Sequence, residues 1–348
     1  MTTIGYHCSH EQYPPSRLLH HARLASQAGF QSAMCSDHLH PWSERQAQSG
    51  FAWSWLGAAL EASRLSFGTV CAPGQRYHPA VIAQAAATLS EMYPDRFWLA
   101  VGSGEALNEN ITGAPWPAKP ERHRRMKECV DIMRALWAGE TVTHTGLVQV
   151  SNAKLYSRPQ NPPAIFGACL SPETAEWMGE WADGMITVSQ DRIQMQRIVD
   201  AFRAGGGRDK PMFLQVVLSF AESDQAALQA ACDQWRQAAL EPNQLADLGS
   251  PAAFDQACAA VRPADVADSI RISSSAAQHL EWLMQDAELG FDRLFLHNVH
   301  RDQETFISVF AEQVLPHFAS ESAALQRDVS DGATPAARGH MVQSGPLG

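Results

Sequence analysis

Short apolar runs alternate along the chain with longer stretches in which apolar residues return at helical spacing. The runs at residues 4–6, 32–35, 65–70, 97–101, 164–167, 185–188, 213–220 and 294–297 are too short for helices and read as strands. Between them, residues 16–28, 55–62, 80–92, 121–137, 172–181, 193–203 and 304–314 carry the helical period. In residues 121–137, for example, Met126, Cys129, Val130, Met133, Leu136 and Trp137 share one face. The basic cluster from Arg122 to Lys127 is then expected on a solvated face. Gly29 suits a helix C-cap and Pro79 a first helical turn. Residues 141–150 predict a small β-excursion around Gly146. Residues 225–283 predict two or three helices inserted before the last strand.

Eight strands alternating with helices imply a parallel sheet, because parallel neighbours need crossover connections. Eight such units close most simply into a (β/α)8 barrel, the α/β TIM-barrel class. A doubly wound open sheet is the competing arrangement. It is disfavoured because no G-x-G-x-x-G follows the first strand. One domain is expected over residues 1–318. Beyond it the chain is rich in Ser, Ala and Gly without an apolar period, so residues 319–348 are expected to be a disordered tail.

Composition narrows the function classes. Hydrophobic residues make up 45% and charged residues 18%, a globular balance. The formal charge of −11 repels a phosphate backbone, so nucleic acid is not an expected partner. Seven scattered cysteines without a C-x-x-C pair argue against a disulfide framework and for a reducing cytosol. No signal-like segment opens the chain and no run approaches the ~18 apolar residues of a membrane span. A cytoplasmic protein without a membrane partner is expected.

In a barrel, chemistry collects in the loops after the strands. Three loops stand out. Ser36-Asp37-His38-Leu39-His40-Pro41-Trp42 offers an imidazole able to move a proton near neutrality, an adjacent carboxylate and an apolar wall in Trp42. Val101-Gly102-Ser103-Gly104-Glu105, followed by Asn108 and Glu109, offers bare backbone beside a carboxylate. Cys169-Leu170-Ser171-Pro172 reads as a helix N-cap whose free N–H groups suit a phosphate. Two bland alternatives stay open on these residues. His38-Leu39-His40 is an H-x-H of the kind found in metal-dependent barrel hydrolases, although no matching ligand set follows and no metal is expected. A ligand carrier without catalysis is the other, and it has no use for His38 and Glu105.

Taken together and in order, these segments resemble the luciferase-like monooxygenase superfamily. So do Arg76-Tyr77-His78-Pro79-Ala80-Val81-Ile82-Ala83-Gln84, Tyr93-Pro94-Asp95-Arg96, Gly102-Ser103-Gly104-Glu105-Ala106-Leu107-Asn108-Glu109 and Ala182-Asp183-Gly184. The nearest branch is that of the deazaflavin-dependent glucose-6-phosphate dehydrogenases. The resemblance implies a flavin-type ring across the strand ends, with His38, Glu105 and Trp42 as the catalytic group. It implies cofactor contacts from Asp37, Val70, Cys71, Ser103, Gly104, Asn108, Cys169, Leu170 and Ser171, with the cofactor phosphate near Cys169 to Thr174. It also implies a non-proline cis peptide at Val70–Cys71, and a homodimer acting on a small molecule. Two departures shape the expectation. The loop after the sixth strand, Thr187-Val188-Ser189-Gln190-Asp191, lacks the lysine that holds a sugar phosphate, and only Arg262 and Arg271 remain as candidates. The loop after the fifth strand lacks a Gly-Gly pair. The expected cofactor is therefore FMN, with coenzyme F420 as the alternative. The expected activity is flavin-dependent oxidoreduction, as a monooxygenase or a dehydrogenase.

Overall fold

A computed structural model of the chain describes residues 1–318. The tail expected over residues 319–348 lies outside the described residues. Eight parallel strands are present: β1 (Thr3–Cys8), β2 (Ser32–Ser36), β3 (Ser66–Cys71), β4 (Phe97–Val101), β5 (Ile165–Ala168), β6 (Gly184–Val188), β7 (Met212–Ser219) and β8 (Arg293–Asn298). Each pairs with the next, and β8 pairs with β1 through Ile4 opposite Leu294 and Tyr6 opposite Leu296. The sheet is closed, which excludes the doubly wound alternative.

The crossovers hold α1 (Pro15–Ala28), α2 (Ala52–Ala62), α3 (Pro79–Met92), α4 (Lys119–Ala138), α5 (Pro172–Trp181), α6 (Arg192–Phe202) and α7 (Ala276–Ala287), and α8 (Gln303–Gln313) follows the last strand. Gly29 ends α1 at φ 98°, a left-handed cap that glycine adopts without strain. Residues 141–150 form a hairpin, Val142–Thr145 against Gln149–Ala153. The segment between β7 and α7 holds short helices, among them Asp224–Gln234, Pro242–Asp247 and Pro251–Ala257. It also holds a two-residue strand, Arg271–Ile272, parallel to β7, which the sequence did not signal.

Why the barrel opens at one end is a matter of packing. Met34, Trp98, Phe166, Phe213 and Phe295 form one buried cluster inside it. Phe166 and Phe213 stack with centroids 4.2 Å apart, and Trp98 meets Phe213 at 5.0 Å. The strands make room for this plug with glycines. A Cβ on Gly68 would lie 2.0 Å from the Trp98 ring, and one on Gly5 2.5 Å from Phe295. Above the plug, Val70 and Ala168 on the same inner face are only partly buried. The space for chemistry is therefore the mouth at the C-terminal ends of the strands.

Two expectations fail locally. Among the described residues every peptide bond is trans, Val70–Cys71 included. β3 stays in register with β4 through Val70 opposite Ala100 and Cys71 opposite Val101, and the Cys71 carbonyl accepts from the Gly102 N–H at 2.9 Å, so regular pairing runs to the strand end. Arg122 is buried, not solvated. Its guanidinium lies 4.4 Å over the Trp116 ring and donates to the Pro117 carbonyl at 2.8 Å.

Candidate active site

His38 leaves the end of β2 and sits between two carboxylates. Its Nδ1 is 3.4 Å from Glu11 Oε1, and its Nε2 is 3.5 Å from Glu105 Oε2. Glu11, in the loop after β1, is fully enclosed. Its Oε2 accepts from the hydroxyls of Ser9 at 2.7 Å and Ser36 at 2.8 Å. Burial works to raise the Glu11 carboxyl, but His38 and these two hydroxyls outweigh it and hold it below the usual carboxylate range. Glu105 is opposite in character. Burial pushes its carboxyl up, and the pull of His38 offsets only part of that. One imidazole thus lies between a carboxylate kept ionised and a carboxyl biased toward holding a proton. Such a split of paired groups marks acid–base sites. Trp42 closes the side of the group, with its ring 4.9 Å from the His38 ring, and Phe254 of the insertion meets Trp42 edge-on at 5.1 Å.

The surrounding loops are braced from below. Asn108 Oδ1 accepts from the main-chain N–H of Leu39 at 2.9 Å, and its Nδ2 donates to Glu105 Oε2 at 3.2 Å. Asn108 thereby ties the His38 loop to Glu105. Arg76 lies between two buried carboxylates, 3.4 Å from Asp37 Oδ2 and 3.5 Å from Glu109 Oε1. The Tyr77 hydroxyl donates to Asp37 Oδ1 at 2.9 Å. Burial pushes both Asp37 and Glu109 upward against the pull of this guanidinium. The three loops after β2, β3 and β4 are locked together by this strut.

The structure brings His38, Glu105 and Trp42 together, with Asn108 beneath them. Val70 faces the open mouth from the inner wall. Gly102 comes close to it, a Cβ there lying 3.8 Å from Val70 Cγ1, and Ser103 and Gly104 follow in the chain, with Gly104 at φ 82°, where glycine is at ease. Leu170 is exposed, and the Ser171 hydroxyl caps α5 by accepting from the Thr174 N–H at 3.4 Å. The side chains of Cys71 and Cys169 turn outward into the shell between barrel and helices, so only their backbone reaches the rim. Asp37 supports the site from behind. His40 is turned away from His38, with Nδ1 2.9 Å from the Leu107 carbonyl. Among the described residues no cluster of His, Cys, Asp and Glu is arranged to hold a metal ion. Sequence reasoning missed Glu11, which has no motif around it. Its signal is its place two residues beyond Ser9 in the first strand-end loop.

The model of the luciferase-like monooxygenase family matches residues 1–293. The chain belongs to this family. It is an oxidoreductase of the luciferase-like class. It is 34% identical over 327 residues to a protein of Beutenbergia cavernae described as an F420-dependent glucose-6-phosphate dehydrogenase, covering 91% of this chain and 97% of the relative. A protein of the same description from Nakamurella multipartita is 35% identical over 324 residues, covering 90% and 95%. Among solved structures, an F420-dependent secondary alcohol dehydrogenase in complex with an F420–acetone adduct superposes with a TM-score of 0.84 at 29% identity, covering 92% of this chain and all of that one.

Both arginines that the sequence offered as phosphate holders are committed elsewhere. Arg271 Nη2 donates to Asp286 Oδ1 at 2.8 Å, with Nη1 on the other oxygen, and Arg262 pairs with Asp265 at the surface.

Proposed function

We propose that this chain is a dehydrogenase that moves a hydride between a small, uncharged alcohol and a flavin-type coenzyme. The observation that carries the reading is His38 held between an ionised Glu11 and a proton-biased Glu105 at the barrel mouth. The residues present fit a flat ring. Val70 and Ala168 leave the inner wall partly open, Gly102 to Gly104 present bare backbone, and the capped start of α5 offers N–H donors for a phosphate. When bound, such a coenzyme supplies the ring that takes the hydride from the alcohol carbon. The protein does the rest. His38 Nε2 would take the hydroxyl proton, Glu11 would steady the resulting cation with its negative charge beside Nδ1, and Glu105, which burial biases toward its protonated form, would be a donor of its own proton and not an acceptor from His38. Trp42 and Phe254 shield this exchange from water.

Coenzyme F420 is the reading that the relatives favour, because both dehydrogenases and the alcohol enzyme carry that coenzyme in their descriptions. FMN is the second reading. Its support is the loop Cys169-Leu170-Ser171, which lacks the paired glycines of the deazaflavin enzymes. The commitment of Arg262 and Arg271 to carboxylates supports a substrate without a phosphate for them to hold.

Titration of purified protein with coenzyme F420 and with FMN, followed by addition of a secondary alcohol or glucose 6-phosphate, tests these points. Alcohol-dependent bleaching of the bound coenzyme is expected, and none with the sugar phosphate. His38→Ala should retain the coenzyme and lose about 100- to 10,000-fold in kcat, the range for a general acid–base group. Failure to take up either coenzyme defeats the reading.

A further inference from the structure

One imidazole at the mouth has no part in the chemistry above. His7 stands on the inner face of β1, two residues beyond Gly5, whose missing Cβ accommodates Phe295. Its ring stacks on His297 of β8, with centroids 4.3 Å apart and planes 25° from parallel.

The two rings differ in their commitments. His297 Nε2 donates to Gln12 Oε1 at 3.0 Å. The Gln12 amide is fixed in turn, donating to the Val299 carbonyl at 2.9 Å and to Gln234 Oε1 at 3.2 Å. Trp235 meets the His297 ring edge-on at 4.4 Å. His297 is thus held through Nε2 alone, its Nδ1 being buried without a partner. His7 is only 5% exposed, its Nδ1 is buried without a partner, and among the described residues its ring makes no hydrogen bond. Buried polar groups are nearly always satisfied, so an exception in a mouth built to receive a ligand points to the ligand.

We propose that His7 is a ligand-contacting residue of this active site, whose ring forms a hydrogen bond with a carbonyl or hydroxyl oxygen of the molecule bound in the mouth. The identity of that molecule rests on the proposed function. Its partner oxygen belongs either to the coenzyme ring or to the alcohol. Burial, then the neighbouring His297, keep the His7 ring neutral, so it presents one N–H and one lone pair and no charge. An uncharged group is what an uncharged oxygen needs in a desolvated site.

His7→Phe in the full chain removes the hydrogen bond while keeping a ring to stack on His297. His7→Gln keeps a donor. The coenzyme dissociation constant, measured with coenzyme F420 and with FMN, and KM for propan-2-ol separate the two sources. A tenfold or larger weakening of coenzyme binding in His7→Phe, recovered in His7→Gln, assigns the contact to the ring. The same change confined to KM assigns it to the alcohol. A folded His7→Phe within twofold of wild type on both measures overturns the proposal. Should His7→Phe fail to fold, the His7 ring nitrogens in 15N-histidine-labelled wild type give the answer. A shift on adding coenzyme or alcohol supports the contact, and an unmoved signal in protein that binds overturns it. Wild type that binds neither molecule overturns the functional reading along with this one, whereas binding untouched by the His7 change removes this one alone.

Discussion

Glu11 lies in a loop with no motif to announce it, yet its carboxylate stands 3.4 Å from His38 Nδ1 and sets negative charge beside the ring. Glu11→Gln keeps an oxygen for the Ser9 and Ser36 hydroxyls but removes the charge that stabilises a protonated imidazole. A fall in kcat of about 10- to 100-fold is expected, since a carboxylate beside a catalytic histidine is worth at least that much. Coenzyme affinity should hardly move. Steady-state kinetics beside a binding titration check this, and unchanged kcat would remove Glu11 from the catalytic group. At this scale the sequence pointed to His38, Glu105 and Trp42, which the structure brings near one another, because strand-end loops are short and their polar residues stand close to the strand. It did not show which way Cys71 and Cys169 face. Strands buried on both sides read as unbroken apolar runs, so the alternation that reports orientation in a half-exposed sheet is missing.

The elements around Trp42 belong to two separate parts of the chain. Its own loop is anchored to the insertion by Ser43, whose hydroxyl donates to Asp255 Oδ1 at 2.6 Å, and by Gln46, whose amide donates to the Gln234 carbonyl at 2.8 Å. Gln46 in turn accepts from the Trp42 main-chain N–H at 2.8 Å. Asp255→Ala cuts the first anchor and frees Phe254 and Trp42 to separate. Asp255 also accepts from the Glu44 main-chain N–H at 3.1 Å, and at about 1 kcal/mol for each of these two hydrogen bonds KM for the alcohol should rise by up to roughly 30-fold with kcat nearly kept. Equal kinetics in the variant would show that the Trp42 wall does not depend on this tie. The presence of the insertion was legible as extra helical pattern before the last strand. Its short helices and the strand Arg271–Ile272 were not, because two residues are too few to show a period and pairing with β7 is decided by tertiary contact.

For the molecule as a whole, closure of the barrel was legible from eight alternations. No described helix is long and apolar enough to cross a membrane. Stability should respond to acid earlier than the carboxylates alone would dictate. Burial lowers His279 to about 4 from its ordinary 6.5, with the ring between Phe220 and Phe310 and Nε2 against the Ser273 carbonyl at 3.0 Å. His297 is lowered to about 3 and His10 to about 4, again by burial. In each case the unfolded chain takes up the proton first. Stability is therefore full above 6.5 and falls as pH drops toward 4, by about 1.4 kcal/mol per pH unit for each such histidine. His279→Asn removes one of them away from the mouth. Between pH 6.5 and 5 it should lose about 2 kcal/mol less than wild type. Urea unfolding at a series of pH values measures this, and parallel curves for the two proteins would refute it.

The Asp37–Arg76–Glu109 strut and the insertion divide the mouth between them. One half is welded across three neighbouring loops, and the other hangs on a few polar ties to a single segment between β7 and α7. Inherited change can therefore accumulate on the second side without disturbing the first. A lineage built this way can exchange one metabolite for another while its redox machinery stays as it was.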